Sequence, residues 1–133
     1  MKLLTQKTVT NHVFRERLRD ALSKQIHGSV FRSKNPNSVD GQECVSRAEF
    51  LSVPHITKIR QFDQCEAQLD GNIQVELTLE TRVHGTDHAE PVFDISVKRC
   101  RFTIDIEGEP RKDGVTDNDI QKLKLKLCQL LFE

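Results

Sequence analysis

The feature that most constrains this chain is a strict alternation of apolar and polar residues between Cys65 and Val83. Every large apolar residue of this stretch occupies an odd position, with Gln, Glu and Thr at the even positions between them: Cys65, Ala67, Leu69, Ile73, Val75, Leu77, Leu79 and Val83. Successive side chains of a β-strand point to opposite faces, so this pattern predicts β-structure with one face buried and one face polar.

Asp70-Gly71 interrupts the alternation with residues that are typical of a turn. A two-residue loop would place Gln68 opposite Ile73 and mix the two faces. A three-residue loop, Asp70-Gly71-Asn72, instead pairs Leu69 with Ile73 and keeps the apolar face intact. We therefore predict a hairpin here, with a positive φ at Asn72.

A second alternating stretch changes phase part-way along. Phe93, Ile95 and Val97 lie on odd positions, whereas the apolar residues that follow lie on even ones: Cys100, Phe102, Ile104 and Ile106. One extra residue in a strand shifts the phase, so we predict a β-bulge at Lys98-Arg99. The alternative is a strand whose two halves bury opposite faces, one in the domain core and one in a subunit interface.

The clearest helix runs from Asn11 to His27, where one face is apolar at helical spacing: Phe14, Leu18, Ala21, Leu22 and Ile26. Thr10 or Asn11 can cap its start, and Gly28 can end it in the left-handed conformation. This amphipathic helix should cover a sheet or a partner with its apolar face.

The rest of the first half is less regular. Residues 29–48 are rich in turn formers, so we expect a mobile loop there, with a short edge strand near Val30-Phe31. Residues 50–62 are apolar and β-branched, and Pro54 predicts an edge position or a break because proline cannot donate to a ladder.

The tail from Ile120 to Phe132 fits two structures. Leu123 to Leu127 alternates like a strand, but Thr116 and Asp119 resemble a helix capping box, and we favour a C-terminal helix. Such a helix would be apolar nearly all round, which suggests burial against another subunit. The predicted interface residues are Leu125, Cys128, Leu131 and Phe132, together with Val97.

These elements predict one α+β domain spanning residues 1–133. We expect an antiparallel sheet of about four strands, with the amphipathic N-terminal helix on one face and the C-terminal helix closing the core or an interface. A chain of 133 residues has the size of one ordinary domain.

Few residues suggest catalysis or metal binding. His84 and His88 flank a loop with Asp87, but their spacing differs from that of a helical zinc pair and is typical of a polar turn. Cys100 shares its strand phase with buried residues, so its thiol should be inert. Four carboxylates could act as acid and base but are typical of a solvated strand face: Asp63, Glu66, Glu76 and Glu80. We predict no cofactor and no metal, and we favour a non-enzymatic protein.

Composition bears on partners and location. Twenty Lys and Arg balance twenty Asp and Glu, and Trp and Tyr are absent, so nucleic-acid binding is disfavoured. One basic cluster exists and fits the protection of a sheet edge: Lys98, Arg99, Arg101, Arg111 and Lys112. With no secretory leader, no apolar span and four widely spaced cysteines, we expect a cytoplasmic protein with reduced thiols and no membrane partner.

Part of the chain resembles the SecB family of protein-export and toxin–antitoxin chaperones. The resembling segments are Ile73–Leu79, Phe93–Val97, Arg101–Ile104 and Leu127–Phe132. The resemblance covers residues from about 72 to 133, and the N-terminal helix departs from the family's pattern. It implies an antiparallel sheet, assembly into dimers or tetramers, and binding of non-native chains along apolar grooves.

Two functions therefore remain open at this point. The first is a non-enzymatic cytoplasmic oligomer that binds another polypeptide, in the manner of a SecB-like chaperone. The alternative is a small-molecule-binding protein, or a cofactor-free enzyme, with a pocket between the helix and a curved sheet.

Overall fold

A computed structural model describes residues 3–85, 88–109 and 116–133 of the chain. Within these ranges, three helices and six strands follow one another along the chain. The helices are α1 (Gln6–Thr10), α2 (His12–His27) and α3 (Asp117–Gln121). The strands are β1 (Val30–Arg32), β2 (Ser38–Phe50), β3 (His55–Gln61), β4 (Glu66–His84), β5 (Ala89–Glu107) and β6 (Lys124–Phe132).

The predicted N-terminal helix is confirmed as α2. Asn11 caps it by accepting hydrogen bonds from the backbone N–H groups of Val13 and Phe14, at 2.8 and 3.4 Å. Gly28 ends the helix with φ −87°, so the predicted left-handed conformation is wrong. The apolar face of α2 is fully buried at four positions spaced one turn apart: Phe14, Leu18, Leu22 and Ile26.

One antiparallel sheet contains all six strands, in the order β1-β2-β4-β5-β6, and β3 pairs with β4 beside β2. The α+β class is confirmed, but the sheet has six strands where about four were predicted. At its centre, β4 and β5 pair over 19 residues each, from Glu66 opposite Glu107 to His84 opposite Ala89.

The predicted hairpin at Asp70-Gly71-Asn72 is wrong, because β4 runs straight through it. Asn72 has no positive φ, and Gly71 lies opposite Phe102 within the ladder. Gly71 is required for packing here: a Cβ on it would lie 2.6 Å from the His55 carbonyl oxygen and 2.7 Å from Cζ of Phe102. Glycine therefore lets an aromatic ring and a neighbouring backbone approach the strand.

Residues 29–48, predicted as a loop, instead form β1 and most of β2. The short edge strand expected near Val30-Phe31 is confirmed as β1, which pairs with Gln42–Cys44 of β2. The break expected at Pro54 is also confirmed, since β2 ends at Phe50 and β3 begins at His55. Both strands pair with β4, β2 along its second half and β3 along its first.

The sheet is strongly curved, and α2 lies in its concave face. Strands β1 and β6 form opposite ends of the strand order, yet the rings of Phe31 and Phe132 meet at 4.9 Å between centroids. The buried side chains of α2 join those of β4 and β5 in one core: Leu69, Ile73, Val75, Leu77, Phe102, Ile104 and Ile106. We call this concave, buried side the inner face and the opposite side the outer face.

The predicted C-terminal helix over Ile120–Phe132 is wrong for most of its length. The capping box is real, with Thr116 and Asp119 each capping the other, but it starts only the five-residue α3. Lys124–Phe132 then form β6, which pairs with the second half of β5. The tail contains both patterns that its sequence suggested, one after the other.

Among the residues that the structure describes, no helix combines the length and the apolar character needed to cross a membrane.

Candidate binding surface

Strand β5 resolves the phase change seen in its sequence. Its pairing with β4 has no register shift, so the bulge predicted at Lys98-Arg99 is wrong. The two halves instead present apolar residues to opposite faces. In the second half, Cys100, Phe102, Ile104 and Ile106 are buried on the inner face.

In the first half of β5, the apolar side chains lie on the outer face and are exposed to solvent. Phe93, Ile95 and Val97 expose 56, 69 and 58% of their surface. We call these three residues the β5 stripe. A run of three neighbouring exposed apolar residues on one strand is typical of an interaction surface, since single exposed apolar residues need no such explanation.

The β5 stripe has polar residues along one side only. On β4 the residues opposite Phe93, Ile95 and Val97 are Glu80, Thr78 and Glu76, respectively. On the other side, β6 stops short: its last ladder pair is Phe132 with Cys100, and the backbones of Arg99 and Glu133 exchange two further hydrogen bonds. Within the described chain, no strand pairs with this side of residues 89–98.

The outer face beside the second half of β5 has a different character. Arg60 of β3 donates to Asp70 with Nη2 to Oδ2 at 2.5 Å, and the Thr103 hydroxyl donates to the other oxygen at 2.8 Å. Burial raises the pKa of Asp70, but the bonds from Thr103 and Arg60 outweigh it and hold that pKa below its ordinary value. These groups are mutually satisfied, so this half of the face is a structural network.

Asp105 and Cys128 extend the same network. Hydrogen bonds from the Cys128 thiol and from the Gln68 amide, the latter at 2.9 Å, lower the pKa of Asp105. The Asp105 carboxylate in turn raises the pKa of the Cys128 thiol. Cys128 is therefore held in its protonated form, although it lies exposed at the surface.

The five predicted interface residues fall into three groups. Val97 and Leu131 are exposed on the outer face, and Leu131 lies opposite Arg101 in the ladder. Leu125 and Phe132 pack against the core from the inner side. An odd and an even residue share this face because the pairing of β6 with β5 has a register shift between Thr103 and Ile104. Cys128 lies exposed next to Asp105.

The candidate catalytic residues are not brought together. Glu66 and Glu76 lie on one strand ten residues apart, roughly 33 Å along it, which is far too distant for paired acid–base chemistry. The Cys100 thiol points inward as predicted, and burial raises its pKa to about 12, as expected of an unreactive thiol.

The remaining candidates also stay apart. His84 is the last residue of β4, and His88 directly precedes β5. Asp87 lies outside the described residues. In the described ranges, no group of three His, Cys, Asp or Glu side chains could hold a metal ion. Of the basic cluster, Lys98 lies over the Phe31 ring at 5.2 Å and Arg101 pairs with Glu133 at 2.8 Å. Arg111 and Lys112 lie outside the described residues.

The exposed edge of β5 was not predicted, although one sequence signal pointed to it. Pro91 lacks the N–H that a central strand needs. A bulge at Lys98-Arg99 would place the apolar residues of both halves of β5 in one core. The bulge prediction therefore did not indicate an exposed apolar surface.

No protein-family model, no curated protein and no solved structure matches this chain.

Proposed function

We propose that this protein is a non-enzymatic oligomer that binds another polypeptide on the outer face of β5. The observation that carries the proposal is the β5 stripe, three large apolar side chains that are more than half exposed and adjacent on one strand. In a chain with 36% hydrophobic residues, leaving these outside the core is costly unless a partner covers them.

The surroundings of the stripe suggest what kind of polypeptide fits. Glu76 and Glu80 lie directly beside Val97 and Phe93 on the neighbouring strand. An extended segment with apolar residues flanked by Lys or Arg would satisfy both the apolar stripe and these carboxylates. Non-native chains expose such segments, in line with the resemblance to SecB-like chaperones.

We also propose that the protein works in the cytoplasm. All four cysteines are free thiols, and three of them are exposed: Cys44, Cys65 and Cys128. Exposed thiols persist in a reducing compartment, which supports this location.

A small-molecule ligand is the second candidate. The space between α2 and the sheet is filled by buried side chains, but a cleft opens beside it on the inner face. Phe31, Leu79, Asp94 and Lys98 are among the residues that line the cleft. A ligand there would raise the melting temperature, so a thermal-shift screen of metabolites tests this candidate directly.

The polypeptide proposal is tested by charge substitution with a matched control. Phe93 and Phe62 are 56 and 60% exposed, and Phe62 lies outside the stripe, directly after β3. The probe is fluorescent, reduced and carboxymethylated lysozyme, which cannot refold. We expect Phe93→Asp to weaken its binding at least tenfold in anisotropy titrations, while Phe62→Asp leaves it within twofold. Equal effects of the two substitutions, or no binding by the unmodified protein, would overturn the proposal.

A further inference from the structure

We infer that the open edge of β5 pairs with the same edge of a second copy of this chain, in antiparallel orientation about a two-fold axis at Ile95. This inference rests on the self-association in the proposed function and names the surface that forms it. It concerns the backbone edge of the strand, whereas polypeptide binding concerns the side chains of the outer face.

The direction of the unpaired backbone groups follows from Arg99. Its N–H donates to the Glu133 carbonyl at 3.2 Å and its carbonyl accepts from Glu133 N–H at 2.8 Å, so both groups point to the β6 side. These groups alternate in direction along a strand, and β5 has no bulge against β4. The N–H and C=O groups of Val97, Ile95 and Phe93 therefore point to the same side, where no strand of the described chain lies.

Within the described chain, the unpaired part of this edge lies between two residues that cannot donate an N–H group to a further strand. At one end, the backbone of Arg99 is already bonded to Glu133. At the other end is Pro91, an odd-numbered residue whose nitrogen lies on the open side and has no hydrogen to donate. Three residues between these ends, Phe93, Ile95 and Val97, offer six backbone groups to a partner strand.

The segment is complementary to itself in antiparallel pairing. With Ile95 opposite the partner's Ile95, Phe93 lies opposite the partner's Val97, and all six free groups of each edge find a partner. This register uses all six backbone groups of Phe93, Ile95 and Val97 without displacing Glu133. The outer face of the joint is then apolar throughout, and apolar cross-strand pairs stabilise a sheet.

The inner face of the joint is complementary in charge. Asp94 and Lys98 lie at opposite ends of the segment, on the same face of β5. In the antiparallel dimer each Asp94 lies diagonally across from the partner's Lys98, a separation that a lysine side chain can span. A two-fold axis forms this ion pair twice, which argues for a second copy over an unrelated strand.

Pairing of this kind also explains how an exposed edge is tolerated. An open edge with apolar side chains is an aggregation hazard unless it is covered. A closed two-fold pairing uses up the edge in both copies and joins two six-stranded sheets into one. It also places the two β5 stripes side by side, so that the dimer presents one apolar platform to a bound polypeptide.

Cysteine cross-linking tests the register in the full-length protein. In a background with Ser in place of Cys44, Cys65 and Cys128, Ile95→Cys should form a disulfide-linked dimer with mild oxidant. Directly opposed residues of a hydrogen-bonded pair lie about 5.5 Å apart at Cα, which a disulfide can bridge. Phe93→Cys is the matched control, because the two copies of position 93 lie about 14 Å apart, a separation of four residues along the strands.

Two outcomes overturn the register. Equal cross-linking of the Ile95→Cys and Phe93→Cys proteins would show random collisions, and no cross-linking of Ile95→Cys would show that the edges do not meet. Either result leaves the polypeptide-binding proposal standing, because that proposal is judged separately by the titrations with unfolded lysozyme.

Proline substitution tests the edge by removing one backbone donor. Ile95→Pro loses an N–H that points away from β4, so the monomer should fold. Its dimer should be weaker than that of Ile95→Ala by about tenfold or more, since two hydrogen bonds are lost across the two-fold axis. Sedimentation over a range of protein concentrations measures the dissociation constant of each of the two dimers. A dimer of Ile95→Pro as stable as that of Ile95→Ala would overturn the inference.

Discussion

Gly71 shows how one residue type can be misread when only its neighbours in sequence are known. Asp-Gly is a strong turn signal, and it led to a predicted hairpin in the middle of what is a 19-residue strand. The glycine is required there by contacts from distant parts of the chain, the His55 carbonyl and the Phe102 ring. Such contacts cannot be read from local sequence, whereas the uninterrupted odd-position alternation on both sides of Gly71 could have been.

Gly71→Ala is therefore expected to destabilise the protein by about 1–3 kcal/mol, because the added methyl group meets a backbone oxygen that cannot move aside. Chemical denaturation followed by circular dichroism measures this. Gly28→Ala is the control, since its Cβ would meet nothing closer than 3.7 Å, and its stability should stay within about 0.5 kcal/mol. Equal effects of the two substitutions would contradict the packing role of Gly71.

Asp70 gives a prediction about pH. Its pKa is lower in the folded than in the unfolded protein, so its charge stabilises the fold above the unfolded pKa of about 3.9. That contribution is lost as the pH falls through the lower, folded pKa. Asp70→Asn should cost about 1 kcal/mol at neutral pH, and the difference from the unsubstituted protein should shrink below about pH 4. A difference that is constant from pH 7 to pH 3 would contradict this.

Among the elements, helix α2 could be predicted from sequence almost to the residue, including its Asn11 cap. Its signal is local, since an amphipathic period and a capping side chain need no distant partner. Strand β2 could not be predicted, because its residues are mostly exposed and its pairing with β4 contains register shifts. The tail was ambiguous for a physical reason: a real capping box starts a helix that ends after five residues.

Strand β5 carries the clearest prediction for an element, because its two halves present their apolar side chains to opposite faces of the sheet. Ile104 is fully buried and Ile95 is 69% exposed. Ile104→Ala should lower the free energy of unfolding by about 2–5 kcal/mol, and Ile95→Ala by less than about 0.5 kcal/mol when measured at high dilution. A large loss for Ile95→Ala in dilute protein would show that its side chain is buried within a single copy.

For the whole molecule, the sequence predicted the α+β class and the idea of an apolar surplus outside the core. It assigned most of that surplus to Leu125, Cys128, Leu131 and Phe132 of a helix that is in fact a strand, and two of these residues pack inward. Val97 was included through the alternative interpretation of the phase change. Of the β5 stripe, the sequence analysis therefore named only Val97 as an interface residue. The unpaired backbone edge could be recognised only from the pairing of β5 with β4 and β6 in the structure.

The measurement that tests the central claim most directly is amide hydrogen exchange along β5, resolved by residue and repeated across a wide range of protein concentration. The amides of Asp94, Ser96 and Lys98 point to β4 and should be protected at every concentration. Those of Phe93, Ile95 and Val97 should exchange rapidly in dilute protein and become protected as the concentration rises. Rapid exchange of these three amides at the highest concentration, or their protection in monomeric protein, would contradict the account.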